Sequence, residues 1–460
     1  MALKRKRLSR PRSKPLWTST DHGSPIVVDS DYFAPPGRDR GWGGQADAFL
    51  RFNEAAFREL SLEPALNAGR EGPALHLIPA GRAGAIPLRS PQTGQVVAGV
   101  VVKPRFGWSG VGSVLGEIGW HAAPRFCELP LVPGSGREVP PWVIAGPVIS
   151  RLSEMLAGLR RGYEEQEAVL TKPRGRILWQ AFSKCLAAGR WQAIPCRFSE
   201  LGRDSRLRSH VRWALETVDL GLRTVAASDR VAGALRNLIG ILLDGLEDVA
   251  PVRPSASLTN VAGTLDSGVL TRGLEALGWV ADERGLGGGR ELDGMAWTLE
   301  LDRLWESYVE TLLSRECAMS GESILVGRKG QNSFPIMWDR GGSTLRQLVP
   351  DFVLRRGQTL RIVDAKYKAH FAEIDESGWR RLSDEIRDAH RADVHQVLAY
   401  AALYEAKEIQ VELVYPLRRS TFDALHARGL DVAQARLFHG ARNLFLRLRG
   451  VPFGAGFGTE

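Results

Sequence analysis

The chain has 460 residues, of which 44% are hydrophobic and 25% are charged, and its formal net charge at pH 7 is +9. These values are typical of a soluble globular protein with room for about two or three domains, and the positive charge favours a polyanionic partner. No apolar run is long enough to span a bilayer. The 4 cysteines lie far apart without C-x-x-C spacing, so neither a zinc ribbon nor a disulfide framework is indicated, and a reducing cytoplasm is favoured.

The beginning of the chain is rich in Lys, Arg, Ser and Pro, and residues 1–24 are predicted to form a basic disordered tail. This tail lacks the apolar segment of a secretory signal. Two interpretations stay open for it, namely contact with nucleic acid or an acidic partner, and a solvated tail without a fixed role.

The pattern then changes from strands to helices. Residues 25–145 contain short apolar runs separated by Gly and Pro (SPIVVDSDYF, PALHLIPAG, GQVVAGVVVKPRFGW and PPWVIAGPV), which predict a β-rich N-terminal domain. In residues 146–290 apolar side chains recur with helical spacing, as at Ile149, Leu152, Met155, Leu156 and Leu159, and predict a helical middle region. The glycine cluster RGLGGGRE at 284–291 predicts a loop without the GK[ST] ending of a phosphate-binding P-loop. Since the chain contains no P-loop motif, any NTP hydrolysis must be performed by another subunit.

Residues 291–460 are predicted to form a helix, two strands, a second helix and another strand. The helix LELDRLWESYVETLL carries an apolar face, the strands VPDFVL and LRIVDAKYK are separated by a polar break, and VHQVLAYAALYEA precedes the strand IQVELVYPL. This order predicts a mixed sheet with helices. The predicted fold class is therefore α/β, in a multidomain α+β chain with a β-rich N-terminal domain, a helical middle region and a C-terminal mixed-sheet domain.

The two strands carry charged residues where buried strands usually have apolar ones. Side chains alternate along a strand, so Asp364 and Lys366 point to the same face, and pairing of the strands as a hairpin brings Asp351 to Asp364. Two carboxylates at close range repel each other unless a cation lies between them, and carboxylate oxygens suit Mg²⁺ or Mn²⁺. We therefore predict a metal-dependent phosphodiester-cleaving centre, in which Lys366 holds the attacking water or offsets charge on the phosphate.

The pattern P-D-x12-D-A-K resembles the signature of the PD-(D/E)XK nuclease superfamily. The alternative, that both aspartates are turn residues at strand ends, leaves Lys366 and Lys368 unexplained. The resemblance implies that Glu306, on the helix before the hairpin, is a third metal-binding carboxylate; its other interpretation is a solvated side chain beside the apolar stripe. It also implies that Gln396, Tyr400 and Lys368 support the lysine strand or the DNA, although Gln396 and Tyr400 are equally compatible with an ordinary core-facing helix surface.

The same half of the chain resembles McrC, the nuclease subunit of the McrBC-type modification-dependent restriction systems. The segments LELDRLWESYVETLL, VPDFVL, IVDAKYK, DVHQVLAYA and LVYP match that family in order and spacing across residues 297–417. Upstream, RRGYEEQEAVLTKPRGRI at 160–177, IPCRFSELGRDSRLRSHVRWAL at 194–215 and KPRFGW at 103–108 are similar to family segments. One departure is Arg208, where the family usually has asparagine.

The resemblance implies a restriction-endonuclease-like C-terminal domain that cuts modified double-stranded DNA together with a hexameric AAA+ GTPase or ATPase of the McrB type. Residues 25–145 would then form the partner-binding domain. Asp351, Asp364 and Glu306 would bind the metal, and Lys366 would be the catalytic lysine. One such centre cuts one strand, so a double-strand break needs a second copy of the complex. Two alternatives stay open: a stand-alone repair or processing nuclease without a motor, and a non-cutting adaptor that activates an AAA+ partner.

Overall fold

The structure, a computed structural model, forms two compact units. Unit 1 comprises Met1–Pro140 and Glu291–Glu460, and unit 2 comprises Pro141–Arg290. The predicted loop at 284–291 and the first part of the predicted tail, residues 1–13, lie outside the described residues. None of the helices within the described part combines the length and hydrophobicity needed to cross a membrane. The described residues are 14–33, 42–69, 72–120, 122, 124–127, 129, 130, 132, 140–159, 162–202, 204–224, 229–254, 267–281, 296–338, 346–368, 370–377, 383–439 and 442–454.

The first part of unit 1 contains most of the predicted strands. They are β1 (Leu16–Thr20), β2 (Ile26–Val28), β3 (Leu62–Gly69), β4 (Gly72–Pro79), β5 (Arg82–Arg89), β6 (Val96–Lys103) and β7 (Arg125–Phe126), accompanied by the helices α1 (Ser30–Phe33), α2 (Trp42–Glu59) and α3 (Gly107–Glu117). The helices α2 and α3 are additions to the predicted β-rich region. Helix α2 packs Phe49, Ala56 and Phe57 into the core of this region, because these apolar residues recur at helical spacing.

The tail prediction for residues 1–24 is wrong from Leu16 onward. Strand β1 pairs in parallel with β6, with Leu16 opposite Gly99 and Thr20 opposite Lys103. The reason is that Trp17 packs edge-on against Tyr32 and contributes to the core, so this short segment gains enough apolar contact to be ordered.

Unit 2 contains the predicted helices together with a small sheet. Its elements are α4 (Trp142–Gly158), β8 (Gly162–Leu170), β9 (Arg176–Ile177), α5 (Trp179–Ala187), β10 (Ile194–Gly202), α6 (Ser205–Leu222), α7 (Arg230–Asp244) and α8 (Ser267–Ala281). The antiparallel sheet β8-β10-β9 was not predicted. Much of its surface is solvated, with Tyr163 80% and Val169 61% exposed, so the alternation of apolar and polar residues that marks a half-buried strand is weak.

The second part of unit 1 carries the predicted mixed sheet. Its elements are β11 (Trp297–Glu300), α9 (Leu301–Ser320), β12 (Ser323–Val326), a 3₁₀ turn (Gly327–Lys329), β13 (Phe334–Pro335), β14 (Gln347–Leu348), β15 (Phe352–Arg356), β16 (Thr359–Ala365), α10 (His370–Ser377), α11 (Asp384–Ala401), β17 (Glu408–Leu417), α12 (Arg419–His426), β18 (Val432–His439) and β19 (Arg442–Pro452). The six-stranded sheet has the order β12-β15-β16-β17-β19-β18. Strands β16, β17 and β19 run parallel, and the other pairs are antiparallel, which confirms the mixed α/β class.

The predicted hairpin is formed by β15 and β16. Its turn is Gly357-Gln358, and Gly357 has a φ of 58°, which glycine adopts without strain. Val353 of β15, Ile362 of β16 and Val411 of β17 share one hydrophobic core with Val397 of α11. The core under the sheet therefore holds the two charged strands and the following helix in a fixed arrangement.

The predicted boundary between a domain of residues 25–145 and a nuclease domain of residues 291–460 does not separate two compact units in the structure. Strand β11 pairs with β5 and β7 and thereby completes the sheet β1-β6-β5-β11-β7. Trp297 and Leu299 are buried there. The sequence shows where a strand begins but not which strands it will pair with, and this pairing joins the two parts of unit 1.

Candidate active site

The hairpin brings Asp351 and Asp364 together. Phe352 lies opposite Val363 in the antiparallel register, so the next pair along the two strands is Asp351 and Asp364, which share a face of the sheet. The backbone N–H of Ala365 donates to Oδ2 of Asp351 at 2.8 Å. The carboxyl of Asp351 is therefore held against the end of β16 that carries Asp364.

Lys366 points to the same place from the end of β16. Its Nζ lies 2.7 Å from Oδ2 of Asp364 and donates to Oε1 of Gln396 at 2.8 Å. Nε2 of Gln396 in turn donates to the hydroxyl of Tyr400 at 2.8 Å. The two predicted supporting residues of α11 thus contact the lysine in a chain of hydrogen bonds, and the buried Tyr400 ring also belongs to the core.

Lys368 contacts a carboxylate that sequence reasoning missed. Its Nζ donates to both carboxylate oxygens of Asp393, at 2.8 and 3.0 Å. Asp393 is 4% exposed and also lies 3.8 Å from Nζ of Lys366 and 3.7 Å from Nδ1 of His370. A signal was present in the sequence, because Asp393 precedes Gln396 by one helical turn on the face of α11 that meets the hairpin.

Glu306 lies on α9 and contributes to the same electrostatic field. Its carboxylate is 3.9 Å from Nε of Arg328, which also pairs with Glu310. Burial raises the pKa of Glu306, and the negative charge of Asp364 adds to that rise. Glu306 is therefore close enough to Asp364 to be repelled by its charge, while its ion pair is with Arg328.

The aspartate pair is costly to ionise. Burial, followed by the charge of Asp364, raises the pKa of Asp351 to about 8, and burial also raises the pKa of Asp364. Burial works against the charged form of Lys366, but the charge and hydrogen bond of Asp364 outweigh it and raise the pKa of the lysine. The lysine stays charged, whereas the pair of carboxyls holds a proton at neutral pH unless another cation replaces it.

A divalent ion fits this pair of carboxylates. Mg²⁺ is usually bound through one or two protein carboxylates together with water and substrate phosphates. Within the described part of the chain, no three His, Cys, Asp or Glu side chains are close enough to hold a metal ion by themselves. The predicted three-carboxylate set is therefore not preassembled, and the structure presents Asp351 and Asp364 as a two-carboxylate site with Glu306 nearby.

Comparison with known proteins confirms the family resemblance over the part of the chain that carries this site. Residues 280–416 match the family described as "McrBC 5-methylcytosine restriction system component". The matched residues include both aspartates, Lys366, Asp393 and α9. No curated protein matches the chain.

Two solved structures from Thermococcus gammatolerans match the chain at low identity. The first is a half-complex from a tetradecameric assembly of McrB AAA+ hexamers with bound McrC; it has a TM-score of 0.43 and 14% identity, and the match covers 97% of this chain and 96% of that chain. The second is the McrBC complex, with a TM-score of 0.27 and 13% identity over 65% of this chain and 87% of that chain.

Proposed function

We propose that this protein, a relative of the McrBC restriction components in its C-terminal part, is a metal-dependent DNA endonuclease subunit of a restriction complex. The observation that carries the proposal is the group formed by the buried Asp364 with Asp351 and Lys366 at the end of one hairpin. Two neighbouring acids can hold a divalent ion, a charged lysine can stabilise negative charge on a phosphate, and all three residues lie within the segment that matches the family.

Each residue has a proposed task. Asp351 and Asp364 would hold Mg²⁺ or Mn²⁺, and Glu306 is the proposed third acidic participant. When bound, such an ion polarises a phosphoryl oxygen and activates water. Lys366 holds the attacking water or offsets charge on the phosphate, and Gln396 fixes the direction in which its ammonium group points. Lys368 is held by Asp393, so we propose that it stabilises the end of β16, with the DNA contact as its second task.

The proposed partner is a hexameric AAA+ GTPase or ATPase, and the proposed substrate is double-stranded DNA that carries a modified base. The family description names 5-methylcytosine, and one of the two solved structures is described as McrB AAA+ hexamers with bound McrC, so both suggestions derive from other proteins. The missing P-loop motif agrees with a motor that resides on another chain. A second copy of the complex would cut the second strand.

The test is cleavage of a 5-methylcytosine-containing plasmid and an unmodified plasmid by the protein mixed with the AAA+ protein encoded beside it, with Mg²⁺ and with EDTA. We expect cleavage of the modified plasmid in Mg²⁺ and its loss in Lys366→Ala. The matched control is Lys407→Ala, an exposed lysine next to the opposite end of the parallel pair β16–β17. Equal cleavage by wild type and Lys366→Ala would refute the assigned centre, and stimulated NTP hydrolysis without any cleavage would indicate the adaptor instead.

A further inference from the structure

Arg105, which follows strand β6, contacts Tyr367, the residue between Lys366 and Lys368. Tyr367 follows Lys366 directly, and its ring is 4% exposed. The guanidinium carbon of Arg105 lies 4.4 Å from the centre of that ring and 5.1 Å from the centre of the Phe106 ring. Arg105 belongs to the KPRFGW segment, to which the proposed function assigns no task.

Arg105 is itself fixed by a buried carboxylate at the end of β1. Its Nε lies 3.4 Å from Oδ2 of Asp21, and its backbone N–H donates to the other oxygen of Asp21. Asp21 is fully buried, and its own N–H donates to the carbonyl of Lys103 at 2.9 Å. The ion pair therefore lies at the paired ends of β1 and β6, and the charge of each partner offsets part of the cost of burying the other.

The same contact continues into the helix that carries Glu306. The Phe106 ring stacks on Phe453 at 4.7 Å, and Phe453 packs on Trp305 at 5.8 Å and on Tyr367 at 5.8 Å. Trp305 immediately precedes Glu306 on α9. One aromatic cluster thus lies beneath both the lysine strand and the acid-bearing helix.

The backbone of Lys366 and the side chain of Trp305 on α9 share one hydrogen-bond acceptor. The carbonyl of Val414 in β17 accepts from the backbone N–H of Lys366 at 2.9 Å and from Nε1 of Trp305 at 3.3 Å. Because Tyr367 follows Lys366 directly, a shift of the Tyr367 backbone moves the Lys366 backbone or strains its bond to Val414. The position of Lys366 depends on what packs against the Tyr367 ring.

We infer that Arg105, held by Asp21, is a positioning residue for the proposed nuclease: by stacking on Tyr367 it fixes where Lys366 presents its ammonium group. The inference rests on the proposed function. Arg105 does not reach the reacting atoms in this account, because its side chain is only 14% exposed and is enclosed by Asp21, Phe106 and Tyr367. An arginine suits this place because its flat guanidinium stacks on an aromatic ring while it pairs with a carboxylate.

The test is the double variant Arg105→Met with Asp21→Asn, which removes both buried charges together so that neither is left unpaired. In the complex with its AAA+ partner we expect the rate of DNA cleavage at saturating DNA to fall about 10- to 100-fold, the size of effect that small displacements of a catalytic group cause, with an unchanged KM for DNA. The melting temperature should stay within about 4 °C of wild type, and Mg²⁺ alone should still raise it, because the carboxylate pair is intact. Arg105→Lys, which retains the charge but not the flat stack, should recover part of the rate.

The matched control is Arg151→Met with Glu275→Gln in unit 2. There the guanidinium also lies 4.4 Å from an aromatic ring centre, that of Trp279, and pairs with Glu275 at 2.7 Å. This variant should cut at the wild-type rate. A wild-type rate in the Arg105 double variant, or a loss of rate that appears only together with a fall in melting temperature or a lost Mg²⁺ response, overturns the inference alone. Absence of cleavage by the wild-type complex overturns the proposed function and this inference together.

Discussion

At the scale of single residues, the raised pKa of Asp351 makes the stability of the folded protein depend on pH. Its pKa rises from the ordinary 3.8 to about 8, first because it is buried and second because Asp364 lies beside it. Between these two values the folded protein holds a proton that the unfolded chain has released. The free energy of unfolding of the metal-free protein should therefore fall as the pH rises from about 4 to about 8.

Asp351→Asn tests this relation between charge and stability. Asparagine does not titrate and can still accept the hydrogen bond from Ala365, so the variant should lose the pH-dependent fall. Measured in EDTA, the melting temperature of the variant should match or exceed that of wild type, and the gap should widen from pH 5 to pH 8. In Mg²⁺ the order should reverse, since the variant lacks one of the two carboxylates. A gap that does not change with pH would show that Asp351 is not protonated in the folded protein.

Asp393 is a buried carboxylate that pairs with nearby lysines. It is buried and faces Lys368, Lys366 and His370. We expect Asp393→Asn to lower the free energy of unfolding by about 2 kcal/mol, less than the full cost of breaking a buried pair, because the Lys368 side chain is 36% exposed. Urea denaturation measures this value, and adding Lys368→Met to the variant should recover part of it. If Asp393→Asn is as stable as wild type, the ion pair has no structural task.

At the scale of elements, a buried ion network holds α9 against the sheet. Glu412, fully buried in β17, pairs with Arg361 of β16 at 2.6 Å. Glu316 of α9 pairs with Arg361 at 3.0 Å and with Arg449 of β19 at 2.8 Å. The network therefore connects three parallel strands with the helix that carries Glu306.

Glu412→Leu should be among the most damaging single changes in the sheet. It leaves the Arg361 guanidinium without its closest carboxylate, and such a loss typically costs about 3–5 kcal/mol. Because apolar replacement of both partners is often close to neutral, Glu412→Leu with Arg361→Met should be more stable than Glu412→Leu alone. Guanidinium denaturation of the two variants compares them, and a double variant less stable than the single one would contradict the pairwise account.

At the scale of the whole molecule, unit 1 is built from two stretches of chain that are separated by unit 2 in sequence. Strand β11 lies between β5 and β7, and the Phe106 ring stacks on Phe453. Trp297 and Phe453 are each 5% exposed only because both stretches are present. The second stretch alone would expose these rings to water.

Residues 291–460 expressed alone should therefore be unstable or aggregate, although they contain the whole proposed catalytic group. Co-expression with residues 1–140 should restore a soluble, monodisperse species, as measured by gel filtration. Residues 141–290 are the control, since the helices of unit 2 pack on one another and this fragment should fold by itself. A stable, well-folded fragment of residues 291–460 would show that the first stretch is dispensable for folding.

Local pattern determined much of the site. The alternation along β15 and β16, the polar break at Gly357 and the helical spacing on α9 and α11 are all features of neighbouring residues, so the sequence alone predicted the hairpin, the meeting of Asp351 with Asp364 and the place of Lys366. The assignment of these residues to metal and phosphate chemistry stays a proposal.

Only the tertiary structure decided which distant segments meet. Nothing in the neighbourhood of Leu16 indicates that β1 will pair with β6, nothing near Trp297 indicates that β11 will complete the N-terminal sheet, and nothing near Arg105 points to Tyr367. The contact of Asp393 with Lys368 was not predicted and follows from the packing of α11 against the hairpin. The physical reason is that periodicity reports which face of an element is apolar, whereas the choice of partner depends on long-range packing and on the charges that become buried when that packing forms.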